Sequence, residues 1–275
     1  MLPSFLIGIR EGLEAALIVG LALGVLSKTG HLRFRKMIWA GVALAILVSL
    51  VVAGILQWIG MSLEGPAEEI FEGVTMLLAA GVLTWMIFWM LRNSSQFQLG
   101  LQSDVRDAVQ KGQAWALFGI AFFAVLREGI ETALFLSAAA LSTSSSQVLI
   151  GGLLGIAVAV LIGWALFAAT IRLNLRRFFQ VTSLLLILFA AGLFAHGIHE
   201  FVEVGWIPPI LDPVWDINHI LSEDSISGAM LKALFGYNGN PSLTEALAYV
   251  SYFVVIIFGL QQYNKRRPQI LESAR

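Results

Sequence analysis

Two pentapeptides carry the residues best able to do chemistry in this chain, Arg10-Glu-Gly-Leu-Glu14 and Arg127-Glu-Gly-Ile-Glu131. Glutamates at i and i+3 leave neighbouring positions on one helix face. The arginine, one residue before the first glutamate and four before the second, can pair with either. The glycine between them removes a side chain and lets another backbone, or an ion, come close. Ionised, each motif sums to −1, so the pair sums to −2, which a divalent cation neutralises. Carboxylate oxygens alone suit magnesium, calcium or manganese. The plainer alternative is two arginine–glutamate clamps that lock helices together, but a clamp needs only one glutamate per arginine.

A second constellation, His196, His199, Glu200 and Glu203, falls at i, i+3, i+4 and i+7, which share one helical face. Imidazole with carboxylate suits iron, manganese or zinc, so these four residues are a possible second metal site; helix-end capping is the competing role. Glu64, Glu68, Glu69 and Glu72 gather in a stretch without a basic residue. They suit an outer mouth that collects cations, although a solvated acidic face explains them equally well. His219 and Glu223 are weaker candidates.

The elements that must position these residues are membrane helices. Of 275 residues, 58% are hydrophobic and only 13% charged, with a mean hydropathy of +0.82, whereas soluble domains carry about 25% charge. A spanning helix needs about 20 mainly apolar residues. Seven stretches qualify, near 3–26, 37–60, 71–91, 114–141, 148–171, 178–203 and 244–263. Lipid-exposed backbone must satisfy its own hydrogen bonds, so each reads as a helix. The expected fold is an all-α membrane protein forming one transmembrane domain over 1–275. It comprises a three-helix repeat (1–91), a second (114–203), an outer loop (204–243) and a seventh helix (244–263).

Basic residues orient it. Fourteen of the 17 Lys and Arg fall in alternate connections: 27–36, 92–114, 172–177 and the tail after 263. The positive-inside rule puts those in the cytoplasm, with the N-terminus outside and the C-terminus inside. The first apolar stretch lacks a basic leader and carries Arg10, Glu11 and Glu14, so a cleavable signal peptide is not expected.

The pentapeptide recurs at a shift of 117 residues, and Ala79-Ala-Gly81 is echoed by Ala190-Ala-Gly192. Three spans per repeat force the second copy to run inverted, an architecture of secondary transporters with the site near the midplane. At 1.5 Å per residue both motifs come roughly 12–20 Å below the outer ends of their helices, near one common level. Each intramembrane charge costs at least about 2.5–3.5 kcal/mol, which weighs against a merely structural role for six of them. Gly151 and Gly155 mark close helix packing. There is no cysteine for thiolate ligation or nucleophilic catalysis, no nucleotide-binding phosphate loop, no HExxH and nothing that points to nucleic acid. An enzyme is not expected. A di-iron oxidase would want Glu-x-x-His pairs from two helices, and the His cluster occurs once.

On these two motifs and the seven-span pattern, the chain resembles the oxidase-dependent iron transporters, the family of the yeast high-affinity iron permease and the bacterial EfeU-type permeases. The resemblance implies iron import across a bacterial inner membrane, with iron as substrate rather than a tightly bound cofactor. It implies that Glu11, Glu14, Glu128 and Glu131 are needed for passage, with Arg10 and Arg127 as their charge partners. It further implies either a ferroxidase partner or a periplasmic cupredoxin-like protein with a haem peroxidase. A permease for another divalent metal such as manganese is the alternative within transport.

Overall fold

A computed structural model describes residues 1–168, 175–223 and 225–273. Arg172 and Arg275, counted above among the orienting cations, lie outside the described residues, as does the end of the 148–171 stretch. In chain order the helices are α1 (Leu2–Lys28), α2 (Arg35–Ser62), α3 (Pro66–Gln110), α4 (Ala114–Leu141), α5 (Ser145–Ala168), α6 (Leu175–Glu203), α7 (Ile226–Phe235) and α8 (Leu243–Ser273). A 3-10 turn at Leu32–Phe34 leads into α2. No strand occurs among the described residues.

Five segments are long and apolar enough to cross a membrane: Leu32–Ser62, Pro66–Met90, Ser145–Leu166, Arg177–Glu203 and Leu243–Gln262. At 27 and 28 residues, α1 and α4 are also long enough. What sets them apart is the three charges each motif places in mid-helix. The chain is a multi-pass membrane protein.

One end of the bundle, where α1, α3, α5 and α8 begin, carries the exposed Glu64 and Glu68 and the half-buried Glu69. The opposite end carries Lys28, Arg33, Arg35, Lys36, Arg106 and Lys111. We call these the acidic and basic ends. Glu68 and Glu69 occupy the first turn of α3 behind Gly65 and Pro66, where negative charge complements the unpaired amides of a helix start.

Small residues set the helix pairing. α1 lies along α5, and α2 along α4. A Cβ on Gly8 would stand 2.5 Å from the Gly152 carbonyl oxygen, and one on Gly155 2.4 Å from that of Phe5. On the other pair, a Cβ on Gly41 would stand 2.6 Å from the Phe118 carbonyl oxygen. α3 packs on α6, and α1 crosses α4. Exchanging α1, α2 and α3 with α4, α5 and α6 turns the first two pairings into each other and leaves the other two unchanged.

Two apolar clusters fill the interior. Toward the acidic end, Ile7, Met76, Leu83, Phe135, Leu186 and Leu193 pack with Tyr252 and Ile256 of α8. Toward the basic end, Leu26, Ile38, Leu101, Val105, Val109 and Leu117 pack together. The second cluster draws on the stretch read above as a polar cytoplasmic linker. α3 instead runs on for 45 residues, burying Leu101, Val105, Ala108 and Val109 while Ser103, Asp104, Arg106 and Asp107 face outward, the apolar stripe of an amphipathic helix.

The 204–243 segment does more than cover the acidic end. Its helix α7 opens on Ser225, whose hydroxyl accepts from the Gly228 amide at 3.0 Å, and closes on Gly236 in the left-handed conformation (φ 66). Gly236 packs on Gly192, where an added Cβ would meet the Gly236 Cα at 2.6 Å. Gly192 lies eleven residues before the end of α6, roughly 16 Å along its axis. The tip of α7 therefore reaches into the bundle beside α6 and α1.

Candidate metal site

The two motifs meet where α1 crosses α4, between the apolar clusters. Arg10 is fully buried, and its Nη1 donates to Glu11 Oε1 at 2.8 Å while its Nη2 stands 3.5 Å from Glu14 Oε1. The same two nitrogens donate to the sulfurs of Met86 and Met90 of α3, each at 3.1 Å. Arg127 is the more open of the pair. Its Nε donates to Glu131 Oε1 at 2.9 Å, and its guanidinium carbon lies 4.8 Å from the centre of the Trp89 ring, a cation–π position. Each arginine thus serves its own helix, as the i to i+4 spacing allows.

One carboxylate oxygen from each of Glu11, Glu128 and Glu131 can be chosen so that all three lie within 4.8 Å of one another. All three residues are buried. Glu11 Oε2, Glu128 Oε2 and Glu131 Oε2 have no hydrogen-bond partner, and neither does Glu14 Oε1. Buried carboxylate oxygens left without donors are costly, and a cation is the ligand that satisfies several at once. Glu14 lies outside this trio and one turn nearer the basic end of α1, tethered through Arg10. Four carboxylates against two guanidinium groups leave a formal charge of −2.

The motif glycines are seats for neighbouring helices. A Cβ on Gly12 would meet the Ala159 Cβ of α5 at 2.8 Å, and one on Gly129 would meet Ser49 Oγ of α2 at 2.0 Å. Their role is helix approach rather than room for an ion.

The structure divides the second constellation. His196 and His199 face α8, where His196 Nδ1 is 3.9 Å from Glu245 Oε1 and His199 Nδ1 is 3.4 Å from Glu245 Oε2. His199 Nε2 is 3.2 Å from Glu203 Oε1. Glu200 turns instead toward α3, its Cβ 3.1 Å from where a Cβ on Gly73 would lie, and Glu72 and Glu203 are among its charged neighbours. Glu72 and Glu69 are half-buried, whereas Glu64 and Glu68 stand exposed. His219 is exposed, and Glu223 accepts from Lys232 Nζ at 2.7 Å.

Glu245, Met86, Met90 and Trp89 escaped the sequence reading. None repeats with a motif, and each comes from a distant helix. Only a polar residue three positions into an apolar span hinted at Glu245.

An all-helical membrane protein with carboxylates and guanidinium groups buried at a helix crossing is built like a carrier of ions, since such residues are rarely kept in the bilayer without function. Comparison with known sequences names the kind. Residues 1–264 match the model of the Iron permease FTR1 family, and the chain belongs to that family: it is an iron permease, not an enzyme. Similar proteins include the Ferrous iron permease EfeU of Escherichia coli O157:H7, 38% identical over 256 residues that cover 92% of this chain and 93% of that protein. The Ferrous iron permease EfeU of Yersinia pestis is 36% identical over 264 residues, 94% of each chain. No solved structure matches.

Proposed function

We propose that this chain carries ferrous iron inward across a bacterial inner membrane through a midplane site built by Glu11, Glu128 and Glu131, with Glu14 as the next ligand toward the basic end. The observation that carries this reading is the convergence of three buried carboxylate oxygens from two helices within 4.8 Å. The likeness to proteins named ferrous iron permeases supports the ion. The formal charge of −2 matches a divalent cation.

The reading includes seven membrane helices, α1 to α6 and α8, arranged as a 3+3 inverted repeat plus one. The helix pairing that survives exchange of the two triplets supports the repeat. Basic residues at one end support an N-terminus outside and a C-terminus in the cytoplasm. α1 and α4 run antiparallel, so Glu11 and Glu131 lie toward the acidic mouth, and Glu14 and Glu128 one turn further in. An ion gathered by Glu64, Glu68, Glu69 and Glu72 would meet Glu131 and Glu11 first. An inside-negative potential adds about 2.3 kcal/mol per charge per 100 mV, enough to drive a divalent ion without nucleotide. The partners that the resemblance implies, a cupredoxin-like protein and a haem peroxidase or a ferroxidase, would deliver iron at that mouth.

The test is uptake of labelled Fe2+ into proteoliposomes. Glu14→Ala and Glu131→Ala are expected to abolish it in protein that still elutes as a single folded species. Full uptake by the folded double variant would sink the proposal. Manganese competing on equal terms would overturn the choice of iron as the preferred ion.

A further inference from the structure

We propose a second metal site at the acidic end, in which His196 Nδ1, His199 Nδ1 and the Glu245 carboxylate bind a divalent transition ion such as Fe2+ or Mn2+ and Glu203 positions His199. The ligands come from α6 and α8, away from the motif crossing. Glu245, the centre of the arrangement, belongs to no motif.

The geometry around His199 carries the argument. Both of its ring nitrogens face carboxylate oxygens, Nε2 toward Glu203 at 3.2 Å and Nδ1 toward Glu245 at 3.4 Å. A neutral imidazole has one N–H to give. His199 Nδ1 is buried and makes no hydrogen bond, so it does not cap the end of α6. With Nε2–H donated to Glu203, the Nδ1 lone pair points at Glu245. That is the carboxylate–histidine–metal relay by which outer carboxylates fix the tautomer of a metal-binding imidazole. Ligand bonds of about 2.0–2.2 Å put adjacent ligand atoms roughly 3.0–3.6 Å apart, and the His199–Glu245 separation lies in that range. His196 Nδ1, at 3.9 Å from the other oxygen, stands further off: unlike the motif carboxylates these three residues do not already gather within 4.8 Å, and binding an ion would draw His196 in.

The surroundings fit a cation. Glu245 is 3% exposed at its side chain and is held from behind by Asn238 Nδ2, which donates to Oε1 at 3.1 Å and to Oε2 at 2.9 Å. The Glu245 amide donates to Ser242 Oγ at 3.2 Å, which fixes the start of α8. A small pocket with room for about one water molecule lies between α6 and α7 beside His196 and Lys232. The Lys232 charge is met by Glu223 at 2.7 Å, and Glu200 adds a carboxylate on the far side of α6. Imidazole with carboxylate selects borderline transition ions over magnesium and calcium, a preference the all-carboxylate trio does not supply. A loading role for this site rests on the midplane proposal; its existence as a metal site does not.

The experiment uses the full chain purified in detergent, with Mn2+ as a redox-silent probe and pulsed electron paramagnetic resonance to detect nitrogen coupling. The Glu11→Gln, Glu128→Gln, Glu131→Gln variant is expected to keep one nitrogen-coupled Mn2+. Replacing His196 and His199 by alanine should remove that signal, and Glu203→Gln should weaken binding by roughly 10–100-fold. Where the triple variant does not fold, the wild type is read directly, since carboxylate-bound Mn2+ shows no nitrogen coupling. Absence of nitrogen-coupled Mn2+ in the wild type overturns the site, and so does its persistence without both histidines. Iron uptake surviving in the motif variant would strike the midplane proposal alone.

Discussion

Arg10 is where the charge balance of the motifs is most exposed to test. It is fully buried, hydrogen-bonded to Glu11 and close to Glu14, so removing it strands two carboxylates in an apolar interior. Breaking a buried ion pair from one side costs about 3–5 kcal/mol. Arg10→Ala should therefore lower the thermal unfolding midpoint in detergent sharply, and adding Glu11→Gln should recover part of the loss. A double variant no more stable than the single one would mean that Arg10 acts through packing on Met86 and Met90. Gly129 gives a steric test. Gly129→Ala drives a methyl into Ser49 and should destabilise by about 1–3 kcal/mol, with rescue by Ser49→Gly. Gly81→Ala meets nothing within 4 Å and should be neutral or mildly stabilising. The residues to watch were legible in the sequence because charge in an apolar helix is conspicuous. Their partners were not: Met86, Trp89 and Ser49 look like ordinary span residues until the helices are packed.

At the scale of elements, α7 has the least sequence signal and the most specific attachment. A ten-residue helix between turn-rich stretches reads as part of a loop, and only the Gly192–Gly236 contact shows how far it reaches inward. The length of α3 was hidden for the opposite reason, because its amphipathic second half carries the charges of a linker. The docking of α7 depends on Glu223, which accepts from Lys232 Nζ and, at 2.9 Å, from the Gly239 amide. Burial pushes the Glu223 carboxyl up, but those two hydrogen bonds and the Lys232 charge outweigh it and hold it below the usual carboxylate range. A group depressed in the folded state stabilises above its unfolded value of about 4.3 and loses that contribution as pH falls through the lower folded value. Hydrogen exchange across 222–240 should thus stay protected at neutral pH and open in acid below about pH 4. Glu223→Gln should show the open pattern at neutral pH, and wild-type protection that persists unchanged through that acid range would remove Glu223 from the latch.

The molecule as a whole is legible as helical and membrane-bound from composition alone, while the joining of its halves depends on contacts between small residues that hydropathy does not register. Its two ends differ in charge, and the proposed direction of transport follows from which end faces the cytoplasm. The natural chain has no cysteine, so single cysteines introduced at exposed positions report sidedness without background. In right-side-out vesicles, Glu64→Cys and Asp216→Cys are expected to react with a membrane-impermeant maleimide, whereas Arg35→Cys and Gln110→Cys should react only after the vesicles are opened. The reverse pattern would invert the permease and turn the acidic mouth into an exit. With the expected sidedness, an inside-negative potassium diffusion potential should speed Fe2+ uptake into proteoliposomes that hold the chain in its native orientation. At 100 mV the gradient contributes about 4.6 kcal/mol for two charges. Collapsing it with an ionophore should slow uptake in the wild type, and an uptake rate indifferent to potential would show that the carried species crosses without net charge.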